Sequence, residues 1–232
     1  MTNKIKKKMY LMLAIFLSVV FCAGFLISLN AQKVAATPLG ITIVIDAGHG
    51  GADGGTVGSS TGITESELNL KYAQKLTLYL QNFGITVINT RETMDGLYDE
   101  FDEHYKQNDM QKRSDIINSS DAQLVISIHM NKFTSSGENG AQVFFKEGCE
   151  DGEKMANSIK TMLQANFDNA RELVLAGDYY ILNCTQITGV IVECGFLSNP
   201  TEEQNLQNED YMNKMCYSIY AGIINYLGVV NY

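Results

Sequence analysis

Only three histidines occur in the 232 residues, His49, His104 and His129, and two of them share a setting. Ile41-Thr42-Ile43-Val44-Ile45 runs into Asp46-Ala47-Gly48-His49-Gly50-Gly51, and Leu124-Val125-Ile126-Ser127-Ile128 runs into His129-Met130-Asn131. Each imidazole follows a continuous apolar, β-branched run, the mark of a strand buried on both faces. In open α/β sheets ligands bind at the carboxyl ends of the strands, so two imidazoles delivered to that rim can share a metal ion. A catalytic zinc takes three protein ligands and keeps one position open. Glu65 is the best-placed third ligand, because it opens the helix after a Gly-rich loop and so lies on the same rim. A first-turn acid also serves the helix dipole, and spacing alone does not choose between the two roles.

Metal-assisted hydrolysis further needs a base. Glu193 follows Val190-Ile191-Val192, and a carboxylate after a buried apolar run is costly unless it is paired or at work. Its neighbour Cys194 raises a rival chemistry, a cysteine nucleophile with His129 as base, although a cysteine beside an apolar strand is usually core. His104, among Glu103 and Tyr105, reads as solvated. The loop Gly48–Gly58 allows tight backbone turns. It lacks the Gly-Lys-Ser/Thr ending of a phosphate loop.

The elements that must position these groups follow from pattern. Strands are expected at Ile41–Ile45, Ile85–Asn89, Leu124–Ile128, Ala141–Phe145 and Val190–Val192. Thr64 and Glu67 form a capping box for a helix running to about Phe83, with Gly84 ending it. Residues 91–108 read as a polar surface loop, and helices are expected over 109–119 and 153–167. Asn199-Pro200 stops the chain, and Thr201 caps a short helix. The last helix carries Met212, Met215, Cys216, Ile219, Tyr220, Ile223, Ile224 and Leu227 at core spacing. Alternation of strands and helices predicts an α/β fold. It is a single domain, with a mostly parallel central sheet flanked by helices on both faces.

Composition narrows the function classes. At 45% hydrophobic and 19% charged the chain is neither disordered nor collagen-like. Setting aside the four lysines of residues 1–32, a segment without acids, takes the net charge from −9 to −13. So acidic a domain is a poor match for nucleic acid. Lys4, Lys6, Lys7 and Lys8 precede 21 uncharged residues, Met9–Leu29, about the length that crosses a bilayer as a helix. Residues 1–32 read as a basic patch plus a transmembrane anchor or signal peptide, 33–39 as a linker and 40–232 as the catalytic domain. Either reading of the N-terminus exports the domain. Of the five cysteines, Cys22 falls in the apolar N-terminal run; Cys149, Cys184, Cys194 and Cys216 show no C-x-x-C spacing and read mainly as free buried thiols, with disulfides the alternative that an exported domain allows.

The segment ITIVIDAGHGGADGG resembles the opening of the zinc-dependent N-acetylmuramoyl-L-alanine amidases of the Amidase_3 family. ESELNL, VISIHMN and VIVECGFLSN resemble its later blocks in the same order, and NTRETMD with Lys112-Arg113 resembles the segment between. The likeness covers roughly residues 41–227. It implies Zn²⁺ as cofactor with His49, Glu65 and His129 as ligands, Glu193 as the catalytic carboxylate, and Asp46 orienting a ligand from behind. Ala47 stands where the family usually has proline. The short connection between His129 and Ala141 leaves no room for the occluding helix of some relatives.

The size, the single N-terminal segment, the absence of a wall-binding module and the stretch LAGDYYILNCTQITGVIVECGFLSN resemble the sporulation amidases of the family. The resemblance implies removal of stem peptides from spore-cortex peptidoglycan on the way to muramic-δ-lactam, on the forespore or cortex side. It also implies peptidoglycan as partner and admits an accessory lipoprotein. The alternatives are a vegetative autolysin, the Cys194/His129 hydrolase and a catalytically silent wall-binding protein.

Overall fold

The computed structural model describes residues 39–99 and 103–229, with Lys8, Met12 and Ser18 besides. The chain divides into two units, Met1–Ala35 and Ala36–Tyr232, and the fold below is that of the second. Apart from Met12 and Ser18, the uncharged run Met9–Leu29 lies outside the described residues. Among the described residues no helix is long and apolar enough to cross a membrane.

Six strands form one sheet: β1 (Thr42–Ala47), β2 (Thr86–Asn89), β3 (Leu124–Asn131), β4 (Gln142–Lys146), β5 (Leu175–Gly177) and β6 (Thr188–Phe196). Their order is β2-β1-β3-β6-β4-β5. β2, β1, β3 and β6 run parallel. β4 runs antiparallel to β6, and β5 parallel to β4. The sheet is therefore mixed, with one reversed pair at an edge. The connection of residues 132–141 carries no helix, so the chain doubles back rather than making the helical crossover that a parallel strand needs.

Among the described residues six helices complete the domain: α1 (Glu65–Asn82), α2 (Tyr105–Asn118), α3 (Glu150–Asn166), α4 (Tyr180–Asn183), α5 (Pro200–Gln207) and α6 (Glu209–Leu227). Alternate strand residues face opposite layers, as the pleat requires. Ile43, Ile45, Ile126, Ile128, Val190 and Val192 pack with α1, α3 and α6 into a large core. Val44, Val125 and Ile191 pack on the other face with Ile117 of α2 and Ile181 and Leu182 of α4, a cluster of only six buried residues. The apolar runs read from the sequence are continuous because both faces are covered.

Thr64 Oγ1 accepts from Glu67 N–H at the start of α1, and the Glu67 carboxylate turns to Lys71. Three features depart from expectation. Asn199, not Thr201, caps α5: its side chain accepts from Thr201 and Glu202 N–H, with Pro200 at the first helical position. The helix expected from residue 109 begins at Tyr105, and its buried side chains are Asp109, Arg113, Ser114 and Ile117, a mostly polar face that hydrophobic periodicity does not register. Arg91, expected in a surface loop, is 5% exposed.

Candidate metal centre

β1 delivers Asp46 and Ala47 to the rim, and the chain then turns sharply. His49 is the only non-glycine with positive φ among the described residues, at +62°. L-residues seldom adopt that conformation without surrounding constraint. Three successive carbonyls leave the sheet at this turn, and buried arginines accept the task of satisfying them. Arg91 donates from Nε to Ala47 O at 2.9 Å and from Nη2 to Gly48 O at 3.1 Å. Arg113 donates from Nη1 to Ala47 O at 2.7 Å and from Nη2 to His49 O at 2.6 Å. Asn69 Nδ2 adds a second donor to Gly48 O.

The turn aims His49 at Glu65, the first residue of α1. His49 Nε2 lies 3.2 Å from Glu65 Oε1, and His129 Nδ1, from β3, lies 2.9 Å from the same oxygen. The two imidazole rings meet edge to face with centroids 5.2 Å apart. One ligand atom from each of the three side chains falls within 4.8 Å of the others. Glu65 is itself fixed: Oε2 accepts from Thr56 N–H at 2.8 Å and Oε1 from Met130 N–H at 3.3 Å. His49 Nδ1 faces away, 2.8 Å from Asp53 Oδ2, and Asp53 also contacts Lys106 Nζ at 3.3 Å.

Charge follows geometry. Burial pushes the Glu65 carboxyl up, but the hydrogen bonds and charges of His129 and His49 hold it well below the usual carboxylate range. Burial lowers His49, yet Glu65 and Asp53 raise it to about 9. His129 is raised against its own burial by Glu65 and Glu193. The pocket thus favours positive charge between two imidazoles and a carboxylate. Two nitrogens and one oxygen converging on one point are a donor set that suits zinc.

Glu193 lies beside this cluster, because His129 and Glu193 are sheet partners on adjacent strands. Burial, and then the nearby Glu65 charge, push its carboxyl up to about 7 against the pull of His129 and His49. Its Oε2 is buried with no hydrogen-bond partner. An unpartnered buried carboxylate oxygen beside a donor cluster suits a group reserved for substrate. His49, His129, Glu193, Lys106, Tyr179 and Tyr180 are among the residues lining a cavity of about 230 Å³ between the sheet and the α2/α4 layer.

The structure therefore brings together all four residues singled out in the sequence: His49, Glu65, His129 and Glu193. It does not bring Cys194 to them. Cys194 is fully buried in the large core on the opposite face of β6, where burial pushes its thiol well above the usual range. The Cys194/His129 hydrolase is thereby excluded. His104 is exposed just before α2 and takes no part in the cluster. Asp46 does not orient a histidine; it accepts from Arg113, Thr90 and Ser127. Asp53 does the orienting, and its position four residues after His49 was the available signal. Arg91 and Arg113 lie in segments that carry the family resemblance, but no role was read for them, because holding backbone carbonyls leaves no pattern in sequence.

Comparison with known proteins shows the family. A family model described as N-acetylmuramoyl-L-alanine amidase matches residues 43–225. The germination-specific N-acetylmuramoyl-L-alanine amidase of Bacillus subtilis is 37% identical over 222 residues, covering 89% of this chain and 92% of that one. The N-acetylmuramoyl-L-alanine amidase LytC of the same organism is 28% identical, over 84% of this chain but 37% of its own length. Among solved structures, the CwlD amidase of Clostridioides difficile in complex with the GerS lipoprotein is 34% identical with a TM-score of 0.78, over 82% of this chain and 100% of that one. The catalytic domain of the amidase CwlV from Paenibacillus polymyxa is 28% identical with a TM-score of 0.72, over 82% and 99%. With its catalytic-domain length matched almost end to end, the chain belongs to the N-acetylmuramoyl-L-alanine amidase family and is an enzyme of peptidoglycan hydrolysis.

Proposed function

We propose that this amidase uses zinc held by His49, Glu65 and His129, with Glu193 as its catalytic carboxylate, to strip stem peptides from spore-cortex peptidoglycan. The observation that carries the chemistry is the meeting of His49 Nε2 and His129 Nδ1 at Glu65 Oε1, with the unpartnered Glu193 Oε2 on the neighbouring strand. Zinc bound there would supply a Lewis acid that activates water and polarises the amide carbonyl. Asp53 keeps His49 in the tautomer and orientation that present Nε2. Glu193 accepts the proton of the attacking water as its oxygen bonds to the lactyl carbonyl carbon. It then returns that proton to the L-alanine nitrogen as the C–N bond breaks. The products are a lactyl carboxylate and a free peptide amine. A carboxyl raised by burial is suited to carrying a proton in both directions near neutral pH.

The spore-cortex assignment is supported by likeness to the germination-specific relative and to CwlD. The latter was solved with a lipoprotein, so an accessory lipoprotein is proposed here as well. Export, with residues 1–32 as anchor or signal, completes the reading and places the domain outside the cytoplasm. The test is metal analysis of the purified chain, followed by mass spectrometry of cortex-type muropeptides. Glu193→Gln should retain zinc and lose peptide release by about 10²–10⁴-fold. Undiminished release would remove Glu193 from its role.

A further inference from the structure

Arg91 is a buried cation that donates its hydrogen bonds to main-chain oxygens. Its guanidinium donates to four of them: Ala47 O at 2.9 Å, Gly48 O at 3.1 Å, Ser66 O at 2.7 Å and Thr93 O at 2.8 Å. Two of these belong to the turn that carries His49. Ser66 O belongs to the first turn of α1, one residue after Glu65. The rigid fork of one side chain therefore spans the gap between the two segments that present the first imidazole and the carboxylate. Arg113 completes the hold from the other side. It is anchored by donating to the carboxylates of Asp46 and Asp109, both at 2.5 Å, and it donates to the carbonyl of His49 itself.

We infer that Arg91 is a positioning residue for the metal: it sets the separation of His49 from Glu65, while Arg113 locks His49 in its left-handed conformation. This rests on the metal reading proposed above and concerns how the ligands are held, not which they are. The geometry decides between two roles of opposite sign. A guanidinium acting through its charge alone would repel a divalent cation, so removing it would tighten binding. A guanidinium acting as a spacer would weaken binding when shortened, even if the charge were kept. Four carbonyl partners in a planar fork favour the spacer. A lysine ammonium, a single point with three donors, does not reproduce that fork.

The experiment measures the zinc dissociation constant by competition with a chromophoric chelator, alongside the melting temperature of the metal-free protein. Arg91→Lys and Arg91→Gln should each weaken zinc binding by about 10–100-fold, the range typical of groups that orient metal ligands. Tyr72→Phe is the control for simple destabilisation. It deletes a buried hydroxyl that donates to Leu206 O at 3.0 Å in the large core, and it should lower the melting temperature while leaving the zinc constant unchanged. Arg91→Lys holding zinc as tightly as the parent, or Arg91→Gln holding it more tightly, would overturn the inference. A parent protein that binds no zinc would instead defeat the metal reading, and the inference with it.

Discussion

Gly48→Ala is the sharpest test of how closely the centre is built. Gly48 is not left-handed, so alanine carries no backbone penalty there, and the whole effect comes from contact. A Cβ would lie 2.1 Å from His129 Cε1, 2.3 Å from Nε2 and 2.7 Å from Nδ1. Ordinary contact begins near 3.4 Å, so the ring or the turn must retreat by about 1.3 Å. Metal–ligand bonds tolerate about 0.2 Å, and a displacement of about 1 Å in a catalytic group costs about 10²-fold. The expected result is zinc bound at least about 100-fold more weakly, about 3 kcal/mol. Stability should fall by about 1–3 kcal/mol from overpacking. Gly62→Ala is the comparison: its φ is +75° with nothing within 4 Å of the new carbon. It should cost about 1 kcal/mol of backbone strain and leave zinc binding alone. Chelator competition and thermal melting read both. Gly48→Ala with parental zinc affinity would refute the claim that His129 is held against the turn.

Other outcomes follow from the same contacts. Asp53→Asn should weaken zinc by about 10–100-fold, read by chelator competition, because His49 Nδ1 loses the acceptor that orients the ring. Asp46 is pushed up by burial but held at about 2, against an ordinary 3.8, by Arg113, Ser127, His129 and Thr90. Its stabilisation, about 2 kcal/mol, is complete above pH 3.8 and is lost as pH falls through about 2. Asp46→Asn should remove that segment from the acid-unfolding curve followed by circular dichroism. Cys194→Ala should keep muropeptide release, and release by both proteins should stop on chelation; loss on alkylation alone would revive cysteine chemistry.

Much of the centre was legible because strand-end residues announce themselves. The apolar runs before His49, His129 and Glu193 are strands buried on both sides, and their next polar residue must emerge at the rim. What received no role was whatever works through the main chain. Arg91 and Arg113 sit in polar stretches and bury themselves against carbonyls, so composition marks their surroundings as surface. The short elements β5 and α4, three and four residues long, contain too few positions for any period to show. The reversal of β4 likewise depends on how a ten-residue connection travels, and nothing in its residues encodes a direction.

The two layers covering the sheet are unequal in weight. His129 and Glu193 stand on strands backed by the heavy layer and Glu65 on a helix of that layer, whereas Tyr179, Tyr180 and Ile181 belong to the light one, pinned by six buried apolar side chains. Local opening costs least where the fewest apolar contacts must be broken. Breathing should therefore concentrate in one wall of the cleft while the opposite wall stays still. The cleft then has a stationary anvil on one side and a compliant jaw on the other.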